Sequence, residues 1–329
     1  MTITVLRETE LRRCVSLDSE AVEAVEGAFR GLGEGKVVMP PILSLDIHDA
    51  NGEMDVKTAY VPGLESFALK VSTGFFDNPK LGLPSLSGMM TLLSAKTGQV
   101  EAVLLDNGYL TDVRTAAAGA VAAKHLARDD AKVAGILGTG LQARLQLEAL
   151  TLVRPIRKAL VWGRDAGKTE SFAKEMSGSL GIAVEVAESA DAAAFGSDIL
   201  VTTTPSRAPL LTVAGLHPGL HITAMGSDAE GKNEIAPEAL AKANRVVLDR
   251  RSQCEKLGEL AAALKAGAVE AEADFPELGE VILGKAPGRG GAEEITLCDL
   301  TGTGAQDTAI ALYAFKRAQA QGFGTALET

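Results

Sequence analysis

The stretch Lys132-Val-Ala-Gly-Ile-Leu-Gly138-Thr139-Gly140-Leu141-Gln142-Ala143 decides the fold. Its apolar run has the length of a buried strand, and helical spacing follows the glycines to about Leu150. In such a strand-turn-helix unit, Gly138 permits the tight turn and Gly140 lets backbone approach a pyrophosphate. Ala143 is small enough for close helix–strand packing, and the helix N-terminus offers free N–H groups to phosphates. Alone the motif is a weak signal. A strand before it and β-α units after it make it specific.

Those units are present. Strand candidates Lys158–Trp162, Ala183–Val186, Ile199–Thr203, His221–Met225 and Arg245–Leu248 alternate with helices predicted over 167–179, 189–195 and 237–243. That alternation predicts a doubly wound parallel sheet. Short helical stretches near 254–267 and 275–283, a Gly-rich loop at 288–291 and a strand at Ile295–Asp299 complete it. Gly302-x-Gly304 also follows a strand, but only about 25 residues remain, too few for a second β-α unit.

Upstream the pattern differs. A strand at Ile3–Leu6 precedes a helix over 18–32, with Val22, Val25, Phe29 and Leu32 on one face and Ser16 or Asp18 as cap. Short runs at Ile42–Ile47, Asp55–Tyr60, Phe67–Gly74, Gly88–Leu93 and Val100–Leu105 are separated by Asn51-Gly52, Pro62-Gly63, Asn78-Pro79 and Thr97-Gly98. These predict a largely antiparallel meander. An Ala-rich helix, Ala116–Leu126, leads onward, and a last helix from about Gln306 is free to return. The expected architecture is α/β: an N-terminal α+β domain (1–115 with 306–329) and a Rossmann-type domain (116–305).

Composition narrows the function. The 329 residues are 46% hydrophobic and 23% charged, ordinary globular values, and 32 Lys+Arg against 43 Asp+Glu give a net charge of −11. No basic cluster suits nucleic acid or an anionic membrane, and no apolar run spans a bilayer. Cys14, Cys254 and Cys298 are far apart and the four histidines lack metal spacing, so neither a disulfide framework nor a metal site is expected. The N-terminus lacks the pattern of a signal peptide, and the expectation is a cytoplasmic protein.

Four residues stand out chemically. Lys70 lies in an apolar strand, where an ammonium is costly unless paired. Arg114, in Leu110-Thr-Asp-Val-Arg-Thr-Ala-Ala at a loop-to-helix junction, can grip a ligand carboxylate or bridge to Asp112 or another acid. Asp228 follows a strand at its carboxyl end, where ligands collect, or simply caps the next turn. Arg164, in Trp162-Gly-Arg-Asp165, stands where an acid commonly meets the adenosine ribose. A cation there favours NADP over NAD; Asp165 beside it keeps NAD open, and a solvated charge is the plain alternative.

Together these segments resemble the ornithine cyclodeaminase/μ-crystallin family. The matching pieces are Phe67-Ala-Leu-Lys-Val, Leu110–Ala118, Gly138–Ala143, Val201-Thr-Thr-Thr-Pro, Ala224-Met-Gly-Ser-Asp-x-x-Gly-Lys-x-Glu234 and Asp299-x-x-Gly302. Met39-Pro-Pro-Ile and Gly74–Pro84 resemble the cyclodeaminase-like proteins of ectoine utilisation. The resemblance implies a homodimer whose N-terminal domain supplies dimer contacts and substrate pocket, with NAD(P) on the second domain. It implies hydride transfer at the Cα of an amino or imino acid, with cyclodeamination of a diamino acid or non-catalytic NADPH binding as alternatives. By motif, Lys70 and Arg114 would bind the substrate carboxylate and Asp228 would be the acid/base group. Thr139, Leu141, Gln142, Arg164, Thr203, Met225 and Ser227 would surround the cofactor, with Thr301 and Gly302 closing the site. An Arg that the family often carries near Pro40–Leu45 is missing here, which points away from ornithine.

Overall fold

The computed structural model describes residues 2–328. The chain divides into two compact units, one running to Arg114 and resuming at Thr303, the other Thr115–Gly302. In chain order the first contains β1 (Thr2–Arg7), α1 (Glu8–Cys14), α2 (Ser19–Gly33), β2 (Leu43–Ile47), β3 (Gly52–Ala59), β4 (Ser66–Phe75), β5 (Leu86–Ser94) and β6 (Val100–Leu105). Helix α3 (Tyr109–Leu126) carries the chain across the division.

The second unit holds β7 (Val133–Leu137), α4 (Leu141–Val153), β8 (Lys158–Trp162), α5 (Ala166–Leu180), β9 (Ala183–Val186), α6 (Ala190–Phe195), β10 (Ile199–Thr202) and β11 (His221–Ala224). It continues through α7 (Pro237–Lys242), β12 (Arg245–Leu248), α8 (Arg251–Cys254), α9 (Gly258–Lys265), α10 (Leu278–Ile282) and β13 (Thr296–Asp299). Helix α11 (Gly304–Ala320) and β14 (Thr325–Glu328) return to the first unit.

In the first unit, β2 to β6 form an antiparallel meander, and β1 joins β6 in parallel while pairing with β14 on its other side. Asn51 adopts a left-handed φ of 45° ahead of β3, a conformation Asn tolerates better than most residues. Strand alternation sorts the side chains: Ala68, Met90, Leu92 and Leu104 join Leu110, Ile310 and Phe315 in one core. Leu69, Met89 and Leu105 take the opposite face and are exposed. Asp18 caps α2 by accepting from Ala21 N, which settles the choice between Ser16 and Asp18.

The second sheet runs β12-β13-β11-β10-β7-β8-β9, every pair parallel. Strand order reverses beside β7, so ligands are expected at the carboxyl ends of β7 and β10. The last two strands are exchanged: Thr296 of β13 pairs with both His221 and Arg245. Among the described residues no helix is long and apolar enough to cross a membrane.

Three local expectations change. Helix α3 starts at Tyr109, so Arg114 lies within a helix and not at a loop-to-helix junction. The carboxylate of Asp106 starts it by accepting from Leu110 N at 2.8 Å. Helix α1 and strand β14 were not anticipated. Each is short, and among α1's residues only Leu11 and Cys14 are buried, too few to show a period.

Candidate active site

The first unit buries three cations together. Lys57 and Lys70 are direct cross-strand partners on β3 and β4, and both are buried, as is Arg114 on α3. Like charges placed opposite each other in a sheet are destabilising, and a buried ammonium costs several kcal/mol without a partner. Asp307, in the first turn of α11, contacts Lys70 and Arg114. Its Oδ2 lies 3.0 Å from Lys70 Nζ and its Oδ1 2.9 Å from Arg114 Nε. Arg114 also donates to Gln306 Oε1 at 3.3 Å.

Close packing brings Asp307 there. A side chain at Gly304 would collide with the backbone of Thr58, so only glycine lets α11 approach β3 this closely. Burial pushes the Asp307 carboxyl up, but the charges of Lys70, Arg114 and Lys57 hold it below the usual carboxylate range. Burial pulls Lys70 down to about 7, against the attraction of Asp307. Neither Lys57 nor Asp307 was singled out from sequence. The rival role foreseen for Arg114, a bridge to an acid, is filled by Asp307, 193 residues away along the chain.

In the second unit the other candidates gather at the carboxyl edge of the sheet. Gly138 has φ 122°, and a Cβ there would come within 2.5 Å of Thr203 Oγ1. Thr203 in turn donates to Leu137 O at 2.9 Å, tying the end of β10 to that of β7. Gly140 caps α4 without a side-chain hydrogen bond, and the space around its Cα is open. The N-terminus of α4, beginning at Leu141 and Gln142, is therefore clear of side-chain caps. Arg144 steadies the loop by donating to Thr139 O at 2.6 Å and Gly140 O at 3.1 Å, while pairing with Glu175. A turn of fixed shape with open space over its second glycine fits a dinucleotide pyrophosphate.

Beyond β8, Gly163 is confined: a Cβ would sit 2.8 Å from Thr139 Cγ2 and 2.9 Å from Thr169 Oγ1. Asp165 is engaged as the cap of α5, its carboxylate accepting from Lys168 N at 3.0 Å. Arg164 is exposed and has no ion-pair partner among the described residues. Met225 N donates to Thr202 O, and buried Ser227 donates to Glu259 Oε1 at 2.5 Å. Asp228 is exposed and pairs with Lys232 at 2.5 Å. Thr301 N and Gly302 N both donate to Asp249 Oδ2 at 2.7 Å. Buried His221 lies between Thr296 and Thr223 and is pulled down to about 3 by burial, so it stays neutral.

These features define a two-unit α/β chain with a Rossmann-type sheet and a separate buried cation cluster. The chain belongs to the ornithine cyclodeaminase/mu-crystallin family, whose model matches residues 2–322. It is 56% identical to an uncharacterized cyclodeaminase of Sinorhizobium fredii, over 100% of this chain and 99% of that one. Among solved structures it resembles the Thermococcus litoralis Δ1-pyrroline-2-carboxylate reductase in complex with NADH and L-proline, with TM-score 0.92, 34% identity and coverage of 98% and 99%. It also resembles an archaeal alanine dehydrogenase dimer with bound NAD, with TM-score 0.93, 35% identity and coverage of 100% and 99%.

Proposed function

We propose that this protein catalyses NAD(P)-dependent hydride transfer at the Cα of a small amino or imino acid, as an imino-acid reductase or amino-acid dehydrogenase. The observation that carries the reading is the buried facing pair Lys57 and Lys70 with Arg114 beside them. Such a group is costly to fold and suits an incoming carboxylate.

When bound, the nicotinamide supplies or accepts the hydride. Lys70 and Arg114 neutralise the substrate carboxylate, taking it up in place of part of their contact with Asp307. Lys57 supplies positive charge from the facing strand, in a chain lacking the Arg expected near Pro40–Leu45. Asp228 stabilises the iminium or moves the amine proton, with Lys232 holding its carboxylate between turnovers. Gly138, Thr139, Gly140, Leu141, Gln142, Thr203, Met225, Ser227, Thr301 and Gly302 shape the cofactor's bed.

Arg164 reads the adenosine 2′-phosphate, making NADP the preferred cofactor. This reading is supported by the diversion of Asp165 into the cap of α5. The exposed apolar face of β4 to β6 joins two copies into a homodimer. Free, buried Cys14, Cys254 and Cys298 suit a reducing cytoplasm.

A second reading is cyclodeamination of a diamino acid, favoured by the name of the Sinorhizobium relative. The ectoine-utilisation setting belongs with the first reading and rests on the resemblance of Met39–Ile42 and Gly74–Pro84. One panel separates the readings. Δ1-Pyrroline-2-carboxylate, and pyruvate with ammonium, are tested for NADPH consumption; ornithine, lysine and 2,4-diaminobutyrate are tested for ammonia release. Ammonia without net change in nicotinamide absorbance would replace the reductase reading. Tight cofactor binding with no turnover on any compound would leave a binding protein.

A further inference from the structure

Among the described residues, four carboxylates with no ion-pair partner lie buried at the carboxyl edge of the second sheet: Glu234, Glu259, Asp249 and Asp299. We propose that two of them, Glu259 and Glu234, are positioning residues that clamp the chain on both sides of Asp228 and so fix where its carboxylate is presented. The proposal rests on Asp228 being the proton-handling group.

The geometry is specific. Glu259 Oε1 accepts from Ser227 Oγ at 2.5 Å and Glu234 N at 3.0 Å; its Oε2 accepts from Asn233 Nδ2 at 2.5 Å and Ile235 N at 3.0 Å. Glu234 turns its own carboxylate back, accepting from Thr204 N at 2.7 Å and Gly226 N at 3.0 Å. The two residues before Asp228 and the three from Asn233 are thus tied to two carboxylates. Only the stretch 228–232 is left as a loop, and Asp228 and Lys232 close it. Gly226 cannot carry a side chain, because a Cβ would overlap Glu234 Oε2 and Thr204 O.

Two neighbouring buried acids are an expensive way to hold a loop. Burial pushes Glu234 up to about 7 and raises Glu259 as well, and Glu259 adds to the shift of Glu234. Hydrogen bonds to ionised acceptors are shorter and about twice as strong as neutral ones. That stiffness matters most where a catalytic group must be held, since a misplacement of about 1 Å can cost about 10²-fold in rate.

The test uses full-length enzyme with NADPH and Δ1-pyrroline-2-carboxylate. In Glu259→Gln the amide sets a donor against donors. We expect kcat to fall about 10²-fold, with KM within about twofold of wild type and NADPH affinity falling far less than kcat, the loss coming through Ser227 beside the cofactor. Affinity is read from energy transfer between Trp162, the only tryptophan, and the bound nucleotide. In the double variant Asp228→Asn/Glu259→Gln, turnover should equal that of Asp228→Asn alone, because both act through one group. Multiplying losses, or an unchanged kcat in Glu259→Gln, would overturn the clamp while leaving Asp228 in place. Normal turnover by Asp228→Asn would overturn the reading of Asp228 itself, and the clamp with it.

Hydrogen exchange supplies a readout independent of substrate. Glu259→Gln should deprotect 224–235 and leave 138–142 unchanged, and no deprotection overturns the clamp. Should Glu259→Gln fail to fold, Asn233→Ala removes one of the four donors. It should show a smaller kcat loss with the same non-additivity, and an unchanged kcat in it overturns the proposal.

Discussion

The two units handle buried charge in opposite ways. In the first, Lys70 and Arg114 share the side-chain carboxylate of Asp307, and Lys57 faces Lys70 across the sheet. In the second, Asp249 accepts from Thr301 N, Gly302 N and Arg250 N, and Glu259 and Glu234 likewise accept from backbone amides. A side-chain partner can be exchanged for a ligand carboxylate; a backbone amide cannot leave. The difference separates a charge arrangement suited to binding from one suited to holding loops still.

The largest effect should come from removing the exchangeable partner. Asp307→Asn leaves buried cations short of a carboxylate, and breaking a buried pair costs about 3–5 kcal/mol. Chemical denaturation should show that loss, and a carboxylate such as L-proline should restore part of it. Restoration absent in Asp307→Asn would break the comparison. Its counterpart, Asp249→Asn, should lose about 1.5–3 kcal/mol per charged bond broken, with no recovery on adding the same ligand.

Next comes the pH dependence of substrate binding. Burial places Lys70 at about 7, down from 10.5. A substrate carboxylate favours the ammonium form, so binding is strongest below about 7 and weakens as pH rises through it. The apparent KM should grow by up to about tenfold per pH unit above that point. The stability contribution has its own sign: between about 7 and 10.5 the unfolded chain holds a proton on Lys70 that the folded chain lacks, so this residue makes stability rise with pH. Lys70→Arg, always charged, should flatten the KM profile; an unaltered profile in that variant would remove Lys70 from carboxylate binding.

The smallest expected effect is at Arg164, an exposed cation outside both groups. A charge-assisted bond to a 2′-phosphate contributes about 1.5–3 kcal/mol, or one to two decades in affinity. Arg164→Ala should weaken NADPH by that margin and leave NADH nearly unchanged. Equal losses on titrating both cofactors would mean that Arg164 does not read the phosphate.

What the sequence by itself determined is the part governed by short-range rules. Strand and helix periods, turn residues and the Gly138–Ala143 turn made the parallel sheet legible, because each depends on neighbours a few residues apart. Lys158–Trp162 and Arg245–Leu248 came out with their observed limits for that reason. Lys70 and Arg114 could be picked out singly, since a lone charge in an apolar run is conspicuous. Tertiary structure alone decided what those charges meet. Asp307 reaches Lys70 and Arg114 only because Gly304 lets α11 pack against β3, and Lys57 faces Lys70 only through the register of the hairpin. The exchange of β12 and β13, the pairing of β14 with β1 and the clamp of Glu259 on residues 227–235 likewise join segments far apart in sequence. Long-range partners of this kind are chosen by packing and by the cost of leaving a buried charge or amide unmet, and no local pattern records that choice.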